Sequence, residues 1–297
     1  MNQPAPGSTF DGHWLRLRES ADHAARDSAL TRRASEWLKH RRHPQRALSL
    51  VDLGSGSGSN LQFLAPRLPA NQRWRLVDHD PRLLDQAIAR CSSLRDAGGN
   101  PIEAIGDCRN LTELNAASIE GSDLICASAL FDLVSRDWLE RLADACEASA
   151  AAVLFTLSVN GEWRFIDRHG QAQDNAEDRW VRRWVNIHQQ RDKGFGKALG
   201  GGGGAALIAA FSRRGYRIAS APSPWLLLPG HAEDIALARA LLDGWVQAAA
   251  EQAPQSDELL TTWLADRCRA LDDGMLGLWV GHDDVFACPP NHTGEKA

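Results

Sequence analysis

The chain has 297 residues, 43% hydrophobic and 24% charged, with a formal net charge of −5; this length supports a sizeable core in one large or two ordinary domains. The acidic balance speaks against a general nucleic-acid binder, which carries a basic face, and no apolar run approaches the length of a membrane span. The opening MNQPAPGSTFDGHW has no basic stretch leading into an apolar one, and the six cysteines form no C-x-x-C pair, so the sequence points to a reduced, cytoplasmic setting without a structural zinc or other metal site.

The first dozen residues are rich in Pro, Gly and Ser and read as loose. Apolar spacing predicts a helix from about Trp14 to His43, ended by Pro44. Short apolar runs then alternate with helical stretches. Strands are expected at 47–53, 73–78, 101–107, 122–128 and 151–159. Helices are expected at 59–68 and at 81–95, the latter with Asp80 as N-cap and Pro81 at its first position. Regular alternation of strand and helix implies a parallel sheet wrapped by helices.

After Val159 the pattern changes. NGEWRFIDRHG reads as a short hairpin, and an arginine-rich helix follows at 178–190. The glycine run 200–204 suits either a flexible joint or the hinge of a lid. Beyond it come a helix at 205–214, a strand at 216–220 or 225–228, two more helices, and a last strand with a turn at 276–289. The expected organisation is an N-terminal helical segment or lid (1–44), a main domain (45–289) with cap insertions at 160–203 and 229–275, and a tail (290–297).

The chemistry concentrates in VDLGSGSG, residues 51–58. Glycines at 54, 56 and 58 follow a buried strand and open a helix, which lets backbone approach a ligand. The dinucleotide pattern G-x-G-x-x-G fails at Ser59, and Asp52 stands two residues before the first glycine. A pyrophosphate is poorly served by that carboxylate; a ligand carrying a cationic amino or sulfonium group is better served. LVDHDP puts Asp78 and His79 at the end of the next strand, where an acid can bind two ribose hydroxyls. AIGDC puts Asp107 and Cys108 at the end of the third strand. Each aspartate also fits a helix N-cap, but all three fall at consecutive strand ends, where open α/β sheets bind ligands.

With VDLGSGSG, LVDHDP, IGDC and DLICASALFDLV in this order, the chain resembles the class I S-adenosylmethionine-dependent methyltransferases over about residues 45–160, and more weakly to residue 289. The resemblance implies an α/β, Rossmann-like, seven-stranded, mostly parallel sheet with flanking helices and an inserted helical cap. It also implies S-adenosyl-L-methionine as cofactor. Carried over, Asp52, Gly54, Ser55, Gly56 and Gly58 would surround the methionine part, Asp78 and His79 the ribose, and Asp107 with Cys108 the adenine. Ser128 and Ala129 would lie beneath the sulfonium. Arg18, with Arg16, would close over the cofactor carboxylate.

The expected activity is methyl transfer to a small-molecule acceptor, with oxygen or nitrogen as the accepting atom. Neither nucleic acid nor membrane is an expected partner. Transfer of another arm of the cofactor, cyclisation releasing methylthioadenosine, and a non-catalytic cofactor-binding subunit are the competing readings. Methyl transfer draws mainly on positioning, and a base matters only for a protonated acceptor. The candidates are Asp132, His188 and His282, each with a plain alternative: a carboxylate favoured by a helix N-terminus or a structural histidine. Arginines at 164, 168, 179, 182, 183 and 191, with Lys193, either clamp an anionic acceptor or form a solvated face. Trp14, Trp163, Phe195 and Trp225 either wall an acceptor pocket or pack the core.

Overall fold

A computed structural model describes residues 12–41 and 45–290. The expectations of a loose N-terminus, of a helix end at Pro44 and of a tail beyond residue 290 fall outside these residues.

Strands β1 (Leu48–Leu53), β2 (Gln72–Asp78), β3 (Glu103–Cys108), β4 (Leu124–Ser128) and β5 (Ala152–Ile166) all run parallel to one another. The sheet is completed by β6 (Arg217–Pro222), β7 (Trp225–Leu227) and β8 (Gly277–Cys288). The order is β3-β2-β1-β4-β5-β8-β6, with β7 also paired to β8. β8 runs antiparallel to β5, β6 and β7. The Rossmann-like, mostly parallel sheet is thus as expected, but it has eight strands rather than seven. Both 216–220 and 225–228 become strands, because the long β8 offers one edge partner to each.

Alternation along the strands builds a core on each face. On β4, Ile125 and Ala127 enter one hydrophobic cluster, while Leu124 and Cys126 enter the other. The covering helices include α3 (Ser59–Leu64), α4 (Pro81–Cys91), α6 (Arg136–Ala148) and α8 (Gly203–Arg213). α4 begins as expected, with the Asp80 side chain accepting from Arg82 N at 2.9 Å, although it ends four residues early. Short α5 (Ala116–Ile119) precedes β4.

The N-terminal helix is broken in two, α1 (Gly12–Ala25) and α2 (Ser28–Arg41). At the break, Asp27 caps the second helix by accepting from Leu30 N at 2.7 Å. Its side chain is a capping group that apolar spacing alone does not register.

The expected hairpin at 160–170 is instead a continuation of β5, which stays paired with β8 as far as Ile166 opposite Gly277. The turn comes later, closed by the Ile166–Ala172 bridge. Around these two long strands gathers a third cluster, formed with α7 (Ala176–Gln189), α9 (Ala232–Gln252) and α10 (Asp257–Asp272). Among the described residues no helix is long and apolar enough to cross a membrane.

The glycine run is not a free joint. Gly200–Gly202 form a 3-10 turn that leads directly into α8. A Cβ on Gly201 would sit 2.8 Å from the Asn160 carbonyl oxygen, and one on Gly203 would sit 2.9 Å from that of Phe131. These glycines let α8 start against the backbones of β5 and the β4 exit. Gly203→Ala is therefore expected to cost about 1–3 kcal/mol by overpacking, whereas Gly202→Ala, with open space around its Cβ, stays within about 0.5 kcal/mol of wild type. Denaturant unfolding separates the two; equal effects would refute a packing role.

Candidate functional site

The strand order reverses between β1 and β4, and a cavity of about 280 Å³ opens at their carboxyl ends. The glycine loop forms its floor, with Gly54, Ser55, Gly56 and Ser57 in the lining. All three loop glycines have positive φ (65°, 51° and 85°). Gly58 does not reach the cavity; a Cβ there would lie 3.0 Å from that of Ala87, so its absence lets the loop press on α4. The Ser55 and Ser57 hydroxyls are buried without a protein partner, although each belongs to a residue of the cavity wall.

Asp78 ends β2 in that wall. Its Oδ2 accepts from Gly56 N at 2.8 Å and its Oδ1 from Asp80 N at 3.0 Å. A carboxylate has about four lone-pair sites, so both oxygens retain capacity for a ligand. His79 lies beside it, with Nδ1 3.4 Å from Asp78 Oδ1, and also lines the cavity.

The third strand contributes differently from expectation. Neither Asp107 nor Cys108 lines the cavity. Asp107 lies 3.4 Å from Arg109 Nε, and Cys108 is exposed. The lining is supplied instead by Asn110, Leu111 and Thr112, just past the strand. Asn110 caps the turn there by accepting from Thr112 N at 3.0 Å, a signal present in the sequence as N-L-T-E.

Asp52 is a second correction. It is wholly buried and lies outside the lining, because alternation on β1 directs it beneath the loop. Its Oδ1 accepts from Asn60 Nδ2 at 2.6 Å, and Asn60 in turn accepts from Arg26. Burial pushes the Asp52 carboxyl up to about 7, against the opposing pull of the Asn60 hydrogen bond and Arg26. Arg26, in the break between α1 and α2, is itself buried and donates to Ser128 Oγ at 3.0 Å. Sequence reasoning missed both Arg26 and Asn60; neither belongs to a motif, and their roles arise only when α1 docks.

Docking of α1 roofs the cavity. Leu15 comes within 3.2 Å of the Cβ position of Gly56. Arg90 donates to Glu19, and His23 Nε2 donates to the Ser59 carbonyl at 3.1 Å. Arg18 reaches the cavity wall, whereas Arg16 does not. The Arg18 guanidinium is steadied by Asp22, at 2.8 and 3.1 Å, and lies over Trp225. Lys193 and Phe195 also line the cavity, so of the basic cluster only Lys193 arrives. Burial lowers the Lys193 pKa.

Ser128 lines the cavity at the end of β4, followed by Ala129 in the left-handed region, φ 52°. Such backbone is costly for a residue with a Cβ. Here Ala129 N is held by the Thr156 carbonyl at 2.9 Å. Arg18 and Ala129 also line a second cavity of about 150 Å³, so the two spaces meet at these residues.

Trp14, Trp163, Trp225 and Trp245 wall that second cavity. Trp163 and Trp245 stack with centroids 4.1 Å apart. Asp132 and His282 are both present in the wall. Asp132 is pushed up to about 6 by burial, partly countered by its own backbone amide, Arg18 and Lys193. His282 is driven down to about 3, by burial first and Arg18 second. It is therefore neutral, with Nδ1–H donating to the Val280 carbonyl at 3.1 Å and Nε2 left as an acceptor. His188 does not join them; it pairs with Glu251 of α9 at 3.2 Å, outside both cavities.

No family model and no curated protein matches the chain. Solved structures resemble it remotely. A cyclopropane synthase from Mycobacterium tuberculosis is 12% identical, with TM-score 0.48, over 96% of this chain and 100% of that one. A SAM-dependent methyltransferase from Geobacter sulfurreducens, in complex with S-adenosyl-L-homocysteine, is 17% identical, with TM-score 0.43, over 95% and 99%. One from Thiobacillus denitrificans is 16% identical, with TM-score 0.42, over 94% and 100%. What fixes the fold is the strand order and direction described above.

The Asp52 environment has a measurable consequence. A carboxyl raised from 3.8 to about 7 adds stability that is complete below the unfolded pKa and lost as pH rises through the folded one. Wild type should lose stability relative to Asp52→Asn between about pH 4 and 7 and run parallel above. Thermal unfolding of both proteins across that range checks this, and a constant difference would contradict it.

Proposed function

We propose that the protein is an S-adenosyl-L-methionine-dependent methyltransferase acting on a small molecule. The observation that carries this is the cavity at the switch point, floored by a glycine loop and edged by Asp78. The residues present fit the cofactor. Asp78 keeps acceptor capacity for the ribose hydroxyls, and Asn110 and Thr112 in the lining would offer polar groups to an adenine edge. The unpartnered Ser55 and Ser57 hydroxyls offer hydrogen bonds from the loop, and Lys193 in the wall would hold the amino-acid carboxylate. When bound, the cofactor supplies a methyl group activated by the adjacent sulfonium.

The chain's own contribution is positioning. α1 covers the site with Leu15, Arg18 and Asp22, the Arg26 donation fixes Ser128, and the strained Ala129 turn lies where the two cavities meet. Asp132 and the neutral His282, in the wall of the second cavity, hold the hydrogen of an accepting N–H or O–H group. This favours nitrogen or oxygen over carbon as the methylated atom. Asp52 supports the loop from below through Asn60, and His188 has no part in the reaction.

Asp78→Ala removes the charge-assisted bonds to the ribose and should weaken S-adenosyl-L-homocysteine binding at least tenfold, about 1.4 kcal/mol. Calorimetric titration reads this directly; unchanged affinity would contradict the placement of the ribose. His188→Ala, in the same titration, should bind as wild type does.

A further inference from the structure

The geometry points to the second cavity as a site for a ring-sized, uncharged molecule that presents an N–H or O–H donor. This deepens the methyltransferase reading, on which it rests for the identity of the neighbouring ligand, by naming the class of acceptor. Two independent features carry it.

The first is size and surface. A space of about 150 Å³ is that of an apolar cavity able to take up a benzene-sized ring. Here the walls are tryptophan faces, with Trp163 stacked on Trp245 and Trp225 tilted against His282 at 4.7 Å. Flat apolar walls favour a ring over a branched or extended chain.

The second is the inventory of unmet hydrogen bonds. Asp132 Oδ1, Gln189 Oε1 and Trp163 Nε1 are buried with no protein partner, and all three residues line this cavity. His282 adds Nε2, an acceptor once Nδ1 donates to Val280. Among these groups three acceptors stand beside one indole N–H. Leaving such groups unmet is costly, and the ligand that satisfies most of them brings donors. A carboxylate group on the ligand brings only acceptors and meets Asp132, while Arg18, the cation in the wall, already has its charge paired with Asp22 through two of its N–H groups. None of the arginines at 164, 168, 179, 182, 183 and 191 lines either cavity. Arg182 is likewise committed to Asp174 at 3.0 Å, and Arg191 to Glu251.

Ligand-observed NMR titration of the full chain at pH 7.5 tests the inference with aniline, phenol, toluene and benzoate, four probes on one ring. Aniline and phenol should bind at least fivefold more tightly than toluene, and benzoate more weakly than either. Asp132→Leu should weaken aniline and phenol at least fivefold while leaving toluene within twofold, so retained toluene binding excludes a misfolded variant. Benzoate binding as tightly as phenol, toluene matching aniline in wild type, equal loss of all probes in the variant, or no binding by any of them would overturn the proposal. A parallel titration with S-adenosyl-L-homocysteine keeps the two readings separate. Its failure alongside tight aniline binding strikes the cofactor assignment, and the reverse strikes only the acceptor class.

Discussion

A buried guanidinium must be surrounded by acceptors, and in this protein that constraint organises the site. Arg26 lies at the break between two N-terminal helices, within reach of Asn60 above β1 and Ser128 at the end of β4. Asp22, Asp284 and Asp52 supply the surrounding negative charge. Removing one partner of such a buried set leaves an uncompensated charge, typically a matter of several kcal/mol. The Arg26 bonds tie the break between the two helices to Asn60 of α3 and to the end of β4, while its Nε is left without a protein partner. Asp284 closes the same network by accepting from Asp27 N at 3.0 Å and Leu157 N at 2.8 Å.

Both cavities are consequences of the docking of α1. With α1 in place, Leu15 covers the glycine loop, Arg18 spans the junction, and Trp14 completes the tryptophan wall. The sheet supplies the floor through the switch point, and the long β5–β8 ladder carries the third core out beyond it. The polar half of the site therefore belongs to the sheet and its loop. The apolar half belongs to the additions around that ladder. A small molecule bound in the second space lies next to Ala129, whose left-handed backbone is tied to Thr156.

Much of this was legible in the sequence where a residue's role is local. The glycine loop, the Asp80 cap and the strand-end position of Asp78 all follow from neighbours within a few residues. Asp52 and Asp107 were misplaced because strand alternation and a nearby arginine decide which way a carboxylate faces, and a motif records only its position. The glycine run illustrates the converse. Its composition suggests freedom, yet Gly201 and Gly203 are small because the Asn160 and Phe131 backbones lie against them. Long-range partners such as Arg26 with Asn60, or Trp163 with Trp245, leave no trace in spacing. His188, read as a candidate base, turned out to be half of an interhelical pair.

On the proposed function, the cavity at the ends of β1, β2 and β4 takes a sulfonium nucleoside rather than a dinucleotide. Calorimetric titration of the wild-type protein with S-adenosyl-L-methionine, and separately with NAD, tests it most directly. The account predicts saturable one-to-one binding of the former and none of the latter; tight NAD binding with no response to S-adenosyl-L-methionine would contradict it.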